Sequence, residues 1–458
     1  MLIFIIILSL LHSIMFYNLS LGLNVIVFTI PLISFIVYML VKNNKVKNKK
    51  GLLFIIPIVI LSSTYFIYDN SFRYFNYIVI PLLYILMYIY TIKPTYNIQE
   101  VCADIVNLLF APVDSIAPFF SESKKKLLGM SNISDEGKKK LKSILIVAPI
   151  AIVVLLLLSN ADMMFGSIFK GIFDVFKNIN LDNIIGRLVL LFLIFTYLGA
   201  AFHYLLNKYK KPEITEINIK IENYTVRLLL TVLNVIYVVF DFIQIRSLLL
   251  HHVTEGIDYA SYARQGFFEL MFISVLNLAL ILISKHSKED KYTKRMSILM
   301  VVLTLIIIAS SFMRMNMYEQ AYGYTLLRLL VYVSLITEVI MLVPTTLYIL
   351  NSKVNILKYY IIIVTSVYTL INCVSVDYVI AYNNIQRYYN SNMLSEMDTD
   401  YLMNYKADNV NLLKELRDKT HDKKMKEDLN NYLNEISDTF KTDNIFEYNV
   451  SKAMVSKR

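Results

Sequence analysis

The chain has 458 residues, 57% of them hydrophobic and only 17% charged, with a formal net charge of +10. Soluble globular proteins carry about a quarter charged residues, so this composition excludes a water-covered globule and points to a polytopic membrane protein. Only two cysteines, Cys102 and Cys373, are present, which argues against a disulfide framework and a thiolate metal site.

In chain order, apolar blocks run over Leu2–Tyr17, Leu21–Val41, Leu52–Tyr68, Tyr74–Thr91, Ser143–Ser159 and Ile184–Leu206. They continue over Thr225–Leu250, Phe267–Ser284, Met296–Met313, Leu329–Leu350 and Ile356–Val376. Most approach the length of about 20 residues that crosses hydrocarbon as a helix, and a helix satisfies its own backbone there. The expected fold is therefore all-α: a polytopic transmembrane bundle of about eleven spans with a small soluble helical C-terminal tail. The first block has no basic leader and no small-residue cleavage site after it, so it reads as a retained span.

Residues 1–92 form an expected four-span segment, 93–142 a cytoplasmic basic loop, 143–376 a seven-span core and 377–458 the tail. Connectors on one side of this alternation hold 24 Lys and Arg, against six on the other. By the positive-inside rule the N-terminus is cytoplasmic and the tail extracytoplasmic. The protein is thus expected in the cell membrane. Trp is absent, and many of the 34 Tyr crowd the span ends, where they can supply the interfacial aromatic belt.

Two connectors carry helical patterns. In 97–120, Val101, Ile105, Leu108 and Leu109 stand opposite Glu100 and Asp104, ahead of Lys124–Lys126. That pattern suits a helix along the inner leaflet or one packed on the bundle. In 162–180, apolar residues at helical spacing, too short and too charged to span, indicate an interfacial or re-entrant helix. The tail is nearly neutral, with 12 basic and 14 acidic residues, and Leu429, Tyr432, Leu433 and Ile436 mark one face of a helix. Such a stripe is a small domain's core or a face for an envelope protein partner.

Charges inside spans are costly, so each is a functional hypothesis. Asn234, Tyr237, Asp241 and Gln244 form a polar stripe down one helix face, with Arg246 near its outer end. Asp241 is expected either to bind a cation, a proton or a polar group in an outward-opening polar cavity or to pair with an arginine of a neighbouring helix. Glu338 lies mid-span with Ser334 on its face, and Glu269 starts its span near Arg264. No phosphate-binding, dinucleotide, nucleophile-elbow or zinc-protease motif is present. The single His-acid cluster, His251, His252, Glu255 and Asp258, matches no zinc spacing. No cofactor is expected. The lysines are distributed among membrane connectors, which gives no nucleic-acid face.

From Tyr259 to Leu270 the chain reads Tyr-Ala-Ser-Tyr-Ala-Arg-Gln-Gly-Phe-Phe-Glu-Leu. This resembles a signature of uncharacterised bacterial multi-pass membrane proteins, domain of unknown function forty-one seventy-three or its close relative forty-one fifty-three. Tyr322, Gly323, Thr325 and Arg328 are similar to the same pattern, as are Ile380, Ala381, Asn384 and Arg387, then Asp400, Tyr401, Leu402 and Asp408. The likeness runs from Ser159 to Leu412. It implies a membrane-embedded helical bundle and no established activity. The similar stretches cluster at the expected outer span ends with Asp241, Arg246, Arg264, Glu269, Arg314, Glu319 and Arg328. Together they suggest an outward-facing charged vestibule, closed by the tail, that binds or senses an envelope-associated ligand. A transporter or flippase using Asp241 and Glu338 is the alternative. An integral-membrane enzyme with Asp241 and Glu269 as acid and base ranks third, since no nucleophile or metal constellation accompanies them.

Overall fold

The structure is a computed structural model that describes residues 1–93, 98–129, 181–209, 222–246, 267–285, 290–390, 402–403, 407–440 and 444–456. Among these residues every regular element is a helix. The helices are α1 (Leu2–Phe16), α2 (Leu23–Lys42), α3 (Ile55–Ile67, entered through a 3-10 turn Lys49–Phe54), α4 (Phe72–Ile92) and α5 (Ile98–Gly129). Then come α6 (Leu181–His203, ending in a π turn Tyr204–Lys208), α7 (Asn223–Gln244), α8 (Phe267–Ser284), α9 (Lys291–Tyr322) and α10 (Leu326–Leu350). The series closes with α11 (Ile356–Asn372), α12 (Val376–Asn390), α13 (Val410–Lys419), α14 (Lys423–Thr439) and α15 (Val450–Ser456).

Ten of the eleven apolar blocks are helical. The block at 143–159, the connector at 162–180 and the cluster around His251 lie outside the described residues. Among the described residues, seven helices are long and apolar enough to cross a bilayer. Two bent pairs, Gln99–Phe110 with Pro112–Lys124 at 52° and Ile356–Asn372 with Val376–Tyr389 at 60°, raise that number to nine at most. Leu2–Phe16 and Phe268–Ser284 are apolar but shorter. The count of eleven stays an expectation.

The helices are inverted with respect to a soluble protein. On α7 the buried positions include Asn234, Tyr237, Asp241 and Gln244, while Leu228, Val232, Val235, Val239 and Phe242 are exposed. An apolar outer face around a polar inner one is stable only where the surroundings are themselves apolar. The apolar helices fit a lipid bilayer.

The chain divides into two compact units. The first comprises Met1–Leu52, Ile85–Thr95 and Glu100–Pro212. Here α1 packs along α6, and Ile5, Leu8, Phe35, Met39, Phe119 and Phe202 form the core. The buried face of α5 carries Val101, Asp104, Leu108, Ser115 and Phe119, while Val106, Leu109, Phe110 and Val113 are exposed. Asp104 thus sits on the packed side, opposite to its expected placement, because an apolar exterior favours turning the polar positions inward. Phe119 closes onto Gly199, where an added Cβ would run into the ring. Lys45 donates to the carbonyls of Leu205 at 2.5 Å and Leu206 at 2.9 Å, capping the π turn that ends α6.

The second unit comprises Leu53–Tyr84, Tyr96–Gln99 and Glu213–Arg458. Its centre is α9, which packs against α7, α8 and α10. At one end of this bundle Lys285 and Lys294 donate to the carbonyls of Ile349 and Leu350, at 3.2 and 2.8 Å, and so cap α10. A buried polar cluster ties α3, α4 and α11 together. Asn76 donates to Asn372 Oδ1 at 2.9 Å and Thr64 Oγ1 at 3.3 Å, and accepts from the Tyr368 hydroxyl at 2.7 Å.

Beyond α11 the chain folds into a small helical domain. Leu429, Tyr432, Leu433 and Ile436 of α14 share one core with Val410, Leu413 and Leu416 of α13 and with Ala381, Ile385 and Tyr388 of α12. This domain docks on the α3–α4 turn and serves both helix ends there. Asn449 donates to the carbonyls of Tyr65 and Tyr68, at 2.8 and 2.9 Å, and Ser451 to that of Ile67 at 3.0 Å. In the opposite sense, Asp377 accepts from the Ser71 amide at 2.5 Å and Asp408 from the Asp69 amide at 2.9 Å. Helix termini leave such backbone groups without intrahelical partners. Here the partners come from more than 300 residues away.

Candidate functional site

The polar stripe of α7 faces α9, and the two helices run in the same direction. Near the start of the stripe Asn234 donates to the Met296 carbonyl at 2.9 Å. One turn on, Tyr237 donates to Asn277 of α8 at 2.8 Å, and Asn277 donates to Thr304 of α9 at 3.0 Å. At the far end Gln244 Oε1 accepts from Ser310 at 2.9 Å and from Arg314 at 3.0 Å.

Asp241 lies between these two sets of bonds. It is 2% exposed, and neither carboxylate oxygen has a hydrogen-bond partner. Of the two arrangements expected of Asp241, the pairing with an arginine of a neighbouring helix is not made: Arg314 binds Gln244. The second buried acid, Glu338 of α10, accepts from Ser274 of α8 and, at 3.5 Å, from Ser334.

At the same end of the bundle the α9–α10 turn gathers a second charged group. Gly323 holds φ at +78°, and a Cβ there would sit 2.8 Å from Asn384 Oδ1. Asn384 of α12 accepts from the Tyr324 amide at 2.7 Å and donates to the Tyr324 carbonyl at 2.9 Å. Arg387, one turn further on α12, donates to the carbonyls of Glu319 at 2.7 Å and of Gln320. These cap the end of α9. Arg328 donates to the carbonyls of Tyr322 at 2.9 Å and of Gly323, and its guanidinium lies 4.2 Å from the Tyr318 ring centroid. Glu319 is buried and bonded by the Tyr324 hydroxyl. Burial, helped by the Glu319 carboxylate, pushes the Tyr324 phenol up from its ordinary range.

Of the vestibule candidates, the structure brings Gln244 and Arg314 together, and separately gathers Glu319 and Arg328 around the Gly323 turn. Arg246 and Glu269 are exposed, and Arg264 lies outside the described residues. Asp377, Asn384, Arg387 and Asn449 do much of the joining. Asn384 and Arg387 stood among the family-like positions, whereas Asp377 and Asn449 fall in polar segments that have no periodicity to mark them. Among the described residues no group of three or more His, Cys, Asp or Glu side chains assembles.

A family model described as a domain of unknown function, DUF4153, matches residues 55–416. The chain belongs to this family. The DUF4153 match opens at the first residue of α3 and closes within α13, so it takes in the α3–α4 turn, the α7–α10 bundle and the Gly323 turn. No curated protein and no solved structure matches.

Within this DUF4153 domain the Gly323 turn offers a direct test. Gly323→Ala combines left-handed strain, which costs about 1–3 kcal/mol, with a contact at Asn384. Its thermal unfolding in detergent is expected several degrees below wild type.

Proposed function

We propose that this DUF4153 protein resides in the cell membrane and binds or senses an envelope-associated ligand at the outward end of its second unit, under an extracytoplasmic tail domain. One observation carries the reading: at the end of the bundle capped by α12, the side chains of Gln244, Arg314 and Glu319 turn inward and are buried. Maintaining buried charges in an apolar setting is costly, and a binding surface is the use that offsets it. The imbalance of Lys and Arg between connectors supports the orientation. The exposed Arg246 and Glu269 are read as the rim, and an envelope protein as the partner of the tail.

The ligand class that suits Arg314 and Arg328 is an anionic headgroup. Purified full-length chain is tested in nanodiscs of phosphatidylcholine with or without phosphatidylglycerol. Phosphatidylglycerol is expected to raise the melting temperature of wild type and to leave Arg314→Gln unchanged; equal shifts in both overturn the assignment. Orientation is read from Lys424→Cys in a Cys102→Ser, Cys373→Ser background. A membrane-impermeant maleimide should label it in intact cells, and protection from the reagent reverses the topology. A second reading, transport using Asp241 and Glu338, draws support from the burial of both acids within one bundle.

A further inference from the structure

Asp241 is a buried acid whose surroundings leave its carboxylate without a hydrogen bond. Its carboxylate is buried, and the polar groups on either side of it on the α7 face are engaged elsewhere: Tyr237 gives its hydroxyl proton to Asn277, and Gln244 Oε1 holds Ser310 and Arg314. An ionised carboxylate without hydrogen bonds or a counter-ion does not persist in an apolar interior, whereas a protonated one is a neutral group.

The charged groups on the packed elements narrow the choice. α7 packs on α9, whose charged residues among those described are Lys291, Lys294 and Arg295 at its start, Arg314, and Glu319 at its last turn. Lys294 is engaged by the Leu350 carbonyl, and Arg295 is exposed. On α7 itself Arg227 is engaged at the far end by Asp290; Arg246, two residues past the helix, is exposed. From α8, which reaches α7 through Asn277, Glu269 is exposed, and Glu338 of α10 is held by serines. Arg314 is therefore the charge at the level of Gln244, three residues and under one turn from Asp241 on the same face. A guanidinium so placed opposes a bound metal cation, and it stabilises an ionised Asp241 only by leaving Gln244 to pair with it.

We propose that Asp241 is a proton-binding site and that Arg314 reads its state. With the proton on, Asp241 is neutral and Arg314 stays on Gln244 and its neighbours. When the O–H bond breaks, the proton leaves to water at the Gln244 end of the bundle, the electron pair stays on the carboxylate, and Arg314 turns one helix step to pair with it. The Ser310–Gln244 contact then loses its arginine. The inference adds proton control to the ligand site proposed above, and its ligand is the proton alone.

The test uses full-length chain in nanodiscs and infrared difference spectra taken across pH. Wild type at neutral pH should show the carbonyl stretch of a protonated carboxyl group that Asp241→Asn lacks, and Glu338→Gln should leave that difference in place. Asp241→Asn, a neutral isostere, should melt at the wild-type temperature at neutral pH. In Arg314→Gln the Asp241 band should persist to higher pH than in wild type, because the ionised form has lost its partner. If Asp241→Asn fails to fold or melts lower, an ionised carboxylate is required and the proposal falls; it falls equally if the spectra of wild type and Asp241→Asn coincide. Neither failure touches the headgroup assignment, which is read from the phosphatidylglycerol shift of the wild-type protein.

Discussion

Asn76→Leu is expected to lower the unfolding free energy by about 3–5 kcal/mol, because it strands several buried groups at once and each unsatisfied one costs about 1–3 kcal/mol. Asn76 is 1% exposed and Asn372 fully buried. Removing the amide leaves the Tyr368 hydroxyl without its acceptor and Asn372 Oδ1 without its donor. Tyr368→Phe takes away one donor and leaves no buried hydroxyl behind, so about 1 kcal/mol is expected from it. Denaturant titration of both variants in detergent micelles, followed by far-UV circular dichroism, separates a shared cluster from independent bonds. Equal losses in the two would mean that Asn76 does not join α3, α4 and α11.

The other large effect belongs to the docking of the tail domain. Asp377→Ala deletes a carboxylate that accepts from both the amide and the hydroxyl of Ser71, and hydrogen bonds to charged groups contribute about 1.5–3 kcal/mol each. Asn449→Ala uncovers the carbonyls of Tyr65 and Tyr68, for about 2–3 kcal/mol by the same reasoning. Both act on one docked surface, so the double variant should lose less than the two single losses added together. Limited proteolysis provides the local readout: the tail of either variant should be cut faster than that of wild type. Strict additivity with unchanged cleavage would mean that the domain is held by other contacts.

Much of this architecture is legible in the sequence because lipid imposes simple rules. Apolar blocks of spanning length become helices, and a 3-4-3 spacing placed Asn234, Tyr237, Asp241 and Gln244 on one buried face. α9 extends beyond its apolar block at both ends because Asp290 caps its start, accepting from the Thr293 amide at 2.9 Å, and Arg387 caps its finish. A block-length rule registers neither cap. Partner choice was also hidden: periodicity gives the face of Asp241, yet which side chain Arg314 selects depends on the stagger of α7 against α9. Asn76 had the same signal as Asn234, a single amide in an apolar run. The docking of Asp377, Asp408 and Asn449 joins polar stretches far apart in the chain, and no local pattern announces such pairing.

That long-distance docking bears on how the molecule is made. The α3–α4 hairpin is synthesised early, but its last carbonyls and first amides receive their partners only when residues 377, 408 and 449 arrive. Contacts of such sequence separation form late. The hairpin's ends therefore wait for these partners until at least 300 further residues have been synthesised. Completion of this membrane segment is thereby tied to residues 377, 408 and 449, so that a chain interrupted before them would leave the hairpin, and not merely the tail domain, unfinished.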